Sequence, residues 1–156
     1  VDTVRLLKDR GVPGFERAYL EQVSAWAGVR ETRRCVGEYT LTEEDAKTGA
    51  RHPDAIAQRF GWLDIGFVRI EAMEPHDVPY RALLPLGVEN VLASGRNISA
   101  THVAAAAGKS MGNCMATGHA AGLACALSIQ QGVSPRRLDV RLVQKALIDE
   151  GVPLGV

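Results

Sequence analysis

Hydrophobic positions recur along this chain with changing periods, and the changes mark out its elements. After Gly11, Pro13 and Gly14, the residues Phe15, Ala18, Tyr19, Gln22, Val23 and Trp26 fall at spacings of three and four. That spacing predicts an amphipathic helix closed by Gly28. Arg30 to Leu41 is rich in Thr, Val and Tyr and predicts an extended strand or ribbon. Thr42 with Asp45 three residues on predicts a capping-box start for a short helix, TEEDAK, ended by Gly49. Arg51 to Phe60 is polar and carries no clear period, whereas Trp62 to Ile70 reads as a strand through Leu63, Ile65, Phe67, Val68 and Ile70. Pro75 and Pro79 bracket a connection, and Tyr80 to Leu84 reads as a short strand stopped by Pro85. Gly87 then turns the chain into Asn90–Ser94, a short apolar run of the kind found in fully buried strands.

An alanine- and glycine-rich helical region follows, with Gly132 as its stop. Gly108 divides it, leaving a second helix that begins near Lys109 or Ser110. Ser134-Pro135 opens the last unit, where Leu138, Val140, Leu142, Val143, Ala146, Leu147 and Ile148 predict an amphipathic helix before Gly151. The most apolar stretch, Ile98 to Ile129, is interrupted by His102, Lys109, Asn113 and His119, so it is read as buried in protein rather than in a membrane. Apolar surface is expected around Val91 to Ala107, covered by contacts with another surface.

Composition changes this picture little. Hydrophobic residues at 46% and charged residues at 23% fit a soluble globular protein. The 18 basic and 18 acidic side chains cancel, which leaves no electrostatic footprint for nucleic acid or an anionic membrane. Cys35, Cys114 and Cys125 are odd in number and lack CxxC spacing, so a reducing, cytoplasmic setting is expected. Val1 to Arg10 is charged and has no long apolar core, so no secretory signal is expected.

The chemistry concentrates in Asn90 to Ala126. A buried strand ending at Gly95-Arg96 is where a cofactor would sit, because ligands of open α/β sheets lie beyond the carboxyl ends of strands. Gly95 lets the backbone approach a ligand closely. The start of a helix near Ser110 offers unpaired N–H groups and a dipole worth roughly 0.3–2 kcal/mol toward an anion.

The run PYRALLPLGVENVLASGRNISATH, with KSMGNCMATGHAAGLACAL after it, resembles the C-terminal signature of a family of bacterial FAD-dependent oxidoreductases. GVRETRRCVGEYTLTEEDA resembles an upstream segment of the same family, so the resemblance covers roughly Pro13 to Gly151. It implies an α/β fold: the C-terminal part of a glutathione-reductase-type, Rossmann-like FAD/NAD(P)-binding domain at residues 79–156, preceded at 1–78 by part of the cap or substrate region. It implies FAD as cofactor, a small-molecule substrate and flavin-mediated hydride transfer, with a hydroxylase or a donor-fed reductase as the runner-up. It also implies cofactor contacts at Gly95, Arg96, Asn97 and Ser99 and at Gly108, Lys109, Ser110 and Met111, with Gly118 and Gly122 allowing close helix packing. Lys109 and Gly112 depart from the arginine and proline of the family pattern. None of the 16 glycines has a glycine two residues away, so the GxGxxG turn that grips the pyrophosphate is not in this sequence. The expectation is a C-terminal fragment that does not hold FAD alone. The alternative is a non-catalytic or homo-oligomerising module.

Other polar residues carry two readings each. Arg33 and Arg34 are candidates for an anionic substrate or the flavin, or ion-pair partners of Glu31, Glu38, Glu43 or Glu44. His102 is a candidate acid, base or hydrogen-bond donor, or a structural histidine, and His119 reads as a packed or partly exposed helix residue. Cys114 is a reactive thiol or a small buried hydrophobe, and Arg81 a cofactor-side or a strand-edge charge. The four histidines show no metal-ligand spacing, so no metal site is expected.

Overall fold

The computed structural model describes residues 2–65 and 70–155. Among the described residues, five α-helices and one strand pair occur in the order α1 (Asp2–Asp9), α2 (Glu43–Thr48), β1 (Ala55–Asp64), β2 (Ile70–Pro79), α3 (His102–Ala107), α4 (Met111–Gln131) and α5 (Val140–Asp149), with short 3-10 turns between them. The α/β class is as expected. Its strands form a two-stranded antiparallel hairpin.

Where side-chain chemistry is local, the predicted boundaries hold. The Thr42 side chain accepts the Asp45 N–H at 3.2 Å, and the Asp45 carboxylate accepts the Thr42 N–H at 2.7 Å. This reciprocal pair starts α2, and Gly49 ends it at φ 68°. Gly49 has a second reason to lack a side chain, since a Cβ there would lie 3.2 Å from the Pro75 carbonyl. Gly108 separates α3 from α4, Ser110 caps α4 and Gly132 closes it at φ 65°.

Four expectations fail. Phe15 to Trp26 is not helical, and Tyr19 and Trp26 are 75% and 84% exposed. An amphipathic helix gains most of its stability by burying its apolar face, and among the described residues nothing covers this one. The charged opening segment instead forms α1, which buries no residue. Second, the hairpin uses the segment that showed no period: β1 begins at Ala55, and β2 runs through Pro75. Pro75 is tolerated because β2 bulges there, with Glu74 and Pro75 facing the single residue Phe60 between the Arg59–His76 and Gly61–Met73 pairs. The predicted strand at Trp62–Ile70 overlaps both β-strands, while Phe67 and Val68 lie outside the described residues.

Third, Tyr80 to Leu84 is not a strand. Tyr80–Leu83 is a 3-10 turn that puts Tyr80, Ala82 and Leu83 into the core, where the Tyr80 hydroxyl donates to the Pro135 carbonyl at 2.9 Å. Fourth, Asn90–Ser94 pairs with no strand among the described residues. Asn90 takes φ 56°, Val91 is half exposed, and the Ala93 N–H donates to the Leu83 carbonyl. A fully buried strand needs neighbours on both sides, and one hydrogen bond does not supply them. The 30–41 ribbon is similarly tied by single bridges, Gly37 to Pro85 and Leu41 to Ala100.

The main core joins Leu41, Ile56 and Val78 to Tyr80–Leu84, Ile98, Ala120, Ala124, Val143 and Leu147. Ile98 to Ala107 is therefore mostly buried within the chain, contrary to the expected exposed surface there. The apolar exposure lies on α4. Ala120, Ala121 and Ala124 pack inward, while Met111, Met115, Gly122, Cys125 and Ile129 make an outward stripe at spacings of three, four and seven. The glycines expected to permit close packing do not: a Cβ at Gly118 or Gly122 would meet nothing within 4 Å.

Candidate functional site

The two backbone segments expected to meet a ligand lie side by side. Gly95–Asn97 is a 3-10 turn entered by Gly95 at φ 66°, which favours glycine. The Gly95 N–H donates to Thr117 Oγ1 of α4 at 3.0 Å. Arg96 Nε donates to the Lys109 carbonyl at 3.3 Å, which ties the turn to the α3–α4 junction. A cleft of about 530 Å³ opens over this pairing. Its floor is Gly95–Asn97, one wall is Met111, Cys114 and Met115 of α4, and the other is Val29–Thr32.

Beneath the floor lies Arg59, which sequence reasoning missed. It is 1% exposed, and Nη2 donates to the Gly95 carbonyl at 3.3 Å. Its Nε is buried with no hydrogen-bond partner, and among the described residues no ion pair reaches it. Burial pulls its pKa down to about 10, which leaves it protonated at neutral pH. Gly108 presses on it so closely that a Cβ would fall 2.2 Å from Nη1. The signal was present in the alternation: counting back by twos from Leu63 puts Arg59 on the inward face with Ala57. The polar look of the segment hid it.

The other candidates separate. Ser110 caps α4 and Met111 stands exposed at the cleft wall. Ser99 is fully buried and away from the cleft, with its hydroxyl 2.9 Å from that of Thr40, so its position is structural. Arg33 is exposed and outside the cleft. Arg34 pairs with Glu31 and donates from Nε to the Ala100 carbonyl at 3.0 Å. The same Glu31 carboxylate sits 2.8 Å from His102 Nδ1, so His102, which does not itself line the cleft, is tied to Glu31, which does. His119 pairs with Glu150 at 2.6 Å, and Arg81 chelates Asp54 through Nε and Nη2 and covers the Tyr39 ring. Cys114 is half-buried, its Sγ 3.9 Å from the Lys109 carbonyl. Among the described residues no cluster of His, Cys, Asp or Glu could hold a metal ion.

A larger cleft of about 700 Å³ lies elsewhere, by Arg51, Asp77, Arg141 and Lys145. Its cations are satisfied internally: Arg51 by Asp77, Arg141 by Asp139 and Lys145 by Asp149. Size alone therefore does not select it.

A model of the FAD dependent oxidoreductase family matches residues 3–147. The chain belongs to that family. The matched span includes both halves of the Gly95 cleft, Arg59 beneath it and the Glu31–His102 pair. No curated protein and no solved structure matches the chain. Among the described residues no helix is long and apolar enough to cross a membrane.

Proposed function

We propose that this chain forms one wall of the flavin site of a bacterial, cytoplasmic oxidoreductase, as the C-terminal part of a glutathione-reductase-type FAD-binding fold. The observation that carries the reading is the meeting of the Gly95–Asn97 turn and the start of α4 on one cleft. The residues fit the group. Gly95 leaves backbone open to a flat ring, Met111 and Met115 offer an apolar wall, and the α4 N-terminus and the Arg59 guanidinium, whose Nε has no partner among the described residues, both favour negative charge. Bound FAD would supply the redox chemistry, hydride exchange with a substrate C–H. The chain's own residues would position and polarise. Gly95, Arg96, Asn97 and Met111, which line the cleft, would border the ring, with Gly108, Lys109 and Ser110 shaping the junction behind it, and residues 1–78 would contribute to the cap or substrate region. His102, held by Glu31, would take up the proton that a substrate O–H or N–H releases. With no GxGxxG turn in its 156 residues, the chain relies on a pyrophosphate-binding unit elsewhere in the polypeptide and does not retain FAD alone.

The test is flavin content. The full-length protein purifies yellow and releases one FAD per polypeptide on denaturation. A colourless full-length protein that takes up no added FAD contradicts the reading.

A second reading has one observation in its favour. The outward apolar stripe of α4, from Met111 to Ile129, suits a homo-oligomer that buries it. Light scattering of the full-length protein, with and without a Met115→Glu change, decides it, since a stripe used by an oligomer gives a smaller particle in the variant.

A further inference from the structure

The energetics of Arg59 are unusual for a residue inside a domain. A buried guanidinium is ordinarily paired and fully hydrogen-bonded, because leaving its charge uncompensated costs several kcal/mol. Here one carbonyl, that of Gly95, is its only hydrogen-bond partner among the described residues. Deleting the charge would remove the cost, yet the fold is built to keep it. Gly108 has no side chain where any side chain would collide with the guanidinium, and β2 bulges directly beside the Arg59–His76 pair.

We infer that Arg59 is the fixed internal cation of the site: it positions the Gly95 turn from behind, and a ligand that carries or gains negative charge in the cleft above compensates it. This rests on the flavin reading above and adds a residue and a role to it. Three features support the placement. The guanidinium and the cleft share Gly95 as a common wall, with Arg59 on its carbonyl side. Cys114 of α4 lines the cleft and backs onto the same turn, since a Cβ at Gly95 would lie 3.6 Å from the Cys114 Cβ. The Asn113 side chain donates to the Phe60 carbonyl at 3.4 Å, so β1 is fastened to the first turn of α4 one residue from Arg59. Arg59 therefore cannot swing into solvent, and its field is directed at whatever occupies the cleft. A cation fixed beside a site where charge appears on reduction stabilises the reduced form without reorganising.

The titratable groups facing position 59 are His76 from β2 and Cys114 from α4, and Arg96 and Lys109 are the charged groups at the adjacent turn and junction. The experiment uses the full-length flavoprotein, with Arg59→Met and Arg59→Lys compared with wild type. The readout is the flavin midpoint potential as a function of pH, with thermal melts recorded alongside. Arg59→Met is expected to lower the reduced-to-oxidised flavin ratio at fixed poise about tenfold, equivalent to about 30 mV for a two-electron couple. Arg59→Lys keeps the wild-type potential at the acid end. It then shows an extra break between about pH 6 and 10, where a buried lysine loses its proton. That break is absent from wild type and from Arg59→Met, and a merely structural role would not create it.

Unchanged potentials in both variants, with flavin retained, overturn the proposal while leaving the flavin reading intact. A wild-type protein that binds no flavin overturns both. Should Arg59→Met fail to fold, the pH break in Arg59→Lys decides. A lysine variant that also fails to fold makes Arg59 a scaffold residue and overturns the proposal as well.

Discussion

The two sides of β1 treat charge in opposite ways. At its start, Asp54 receives the Arg81 backbone N–H at 3.2 Å and the Arg81 guanidinium at 2.9 and 3.1 Å. Nearby Asp45 takes the Tyr39 hydroxyl, the Thr42 N–H and the Thr42 hydroxyl. Midway along the strand, Arg59 is buried more deeply than either carboxylate and has one carbonyl. The first region is satisfied within this chain, whereas in the second a single acceptor faces the guanidinium among the described residues. Apolar surface divides the same way: the core around Leu83 is closed, whereas the α4 stripe beside the cleft is open. Stability and function thus draw on different parts of a small molecule. The unpaired groups, not the paired ones, point to the ligand.

The contrast can be broken most forcefully by equal truncations on the two sides. Leu83 is 0% exposed, so Leu83→Ala should destabilise by about 2–5 kcal/mol in urea melts. Met115 is 73% exposed, so Met115→Ala should change stability by no more than about 0.5 kcal/mol. Comparable losses at both sites would mean that α4's outer face is already covered.

A smaller effect comes from crowding the buried cation. Gly108→Ala puts a methyl group 2.2 Å from Arg59 Nη1, so the buried guanidinium must shift to admit it. Overpacking of this kind should cost about 1–3 kcal/mol, and Arg59→Met should restore part of it in the double variant. Strict additivity of the two changes would show that they do not touch.

The smallest effects belong to the completed side. Arg81 is partly exposed, so Arg81→Ala should cost only about 1 kcal/mol near neutral pH. Burial raises the Asp54 pKa, but the Arg81 hydrogen bonds outweigh it and hold the carboxyl below the ordinary 3.8. Asp45 is likewise held low against burial by its Thr42 and Tyr39 hydrogen bonds. These depressed carboxylates contribute stability that is present above their unfolded values and is lost as pH falls through the folded ones. His76 acts earlier. Burial lowers its pKa below 6.5, so the unfolded chain binds that proton first and stability already declines as pH drops below 6.5. Urea melts at about pH 7, 5 and 3 should therefore show two stages of loss, with the acid stage reduced in Arg81→Ala. A single acid stage would remove His76 from the account.

Much of the fold was legible wherever the deciding interaction was local. The Thr42–Asp45 box, the Gly108 break, the Ser110 cap and the Gly132 stop each depend on residues within one or two turns of each other. What stayed hidden depends on distant partners. Phe15 to Trp26 has helical spacing, but spacing does not supply a surface to bury against. Asn90–Ser94 has the composition of a central strand, but composition does not supply flanking strands. The hairpin was obscured because its buried positions include Arg59, His76 and Asp77, polar residues where apolar ones are expected. Around the cleft, Gly95–Asn97 and Met111 stand where a ligand was expected, the former beside a strand end that the structure replaces with a turn and the latter at the predicted helix start. Arg59 and Glu31 were not legible, because their importance arises from contacts 36 and 71 residues away.

The most direct measurement is amide hydrogen exchange of the full-length protein with and without FAD. Bound FAD should slow exchange at residues 94–97 and 110–115, while Thr42 to Lys47 and Val140 to Asp149, on the completed side, should exchange alike in both states. Protection confined to the Arg51–Asp77–Lys145 cleft, with no change at Gly95 or the start of α4, would contradict the account.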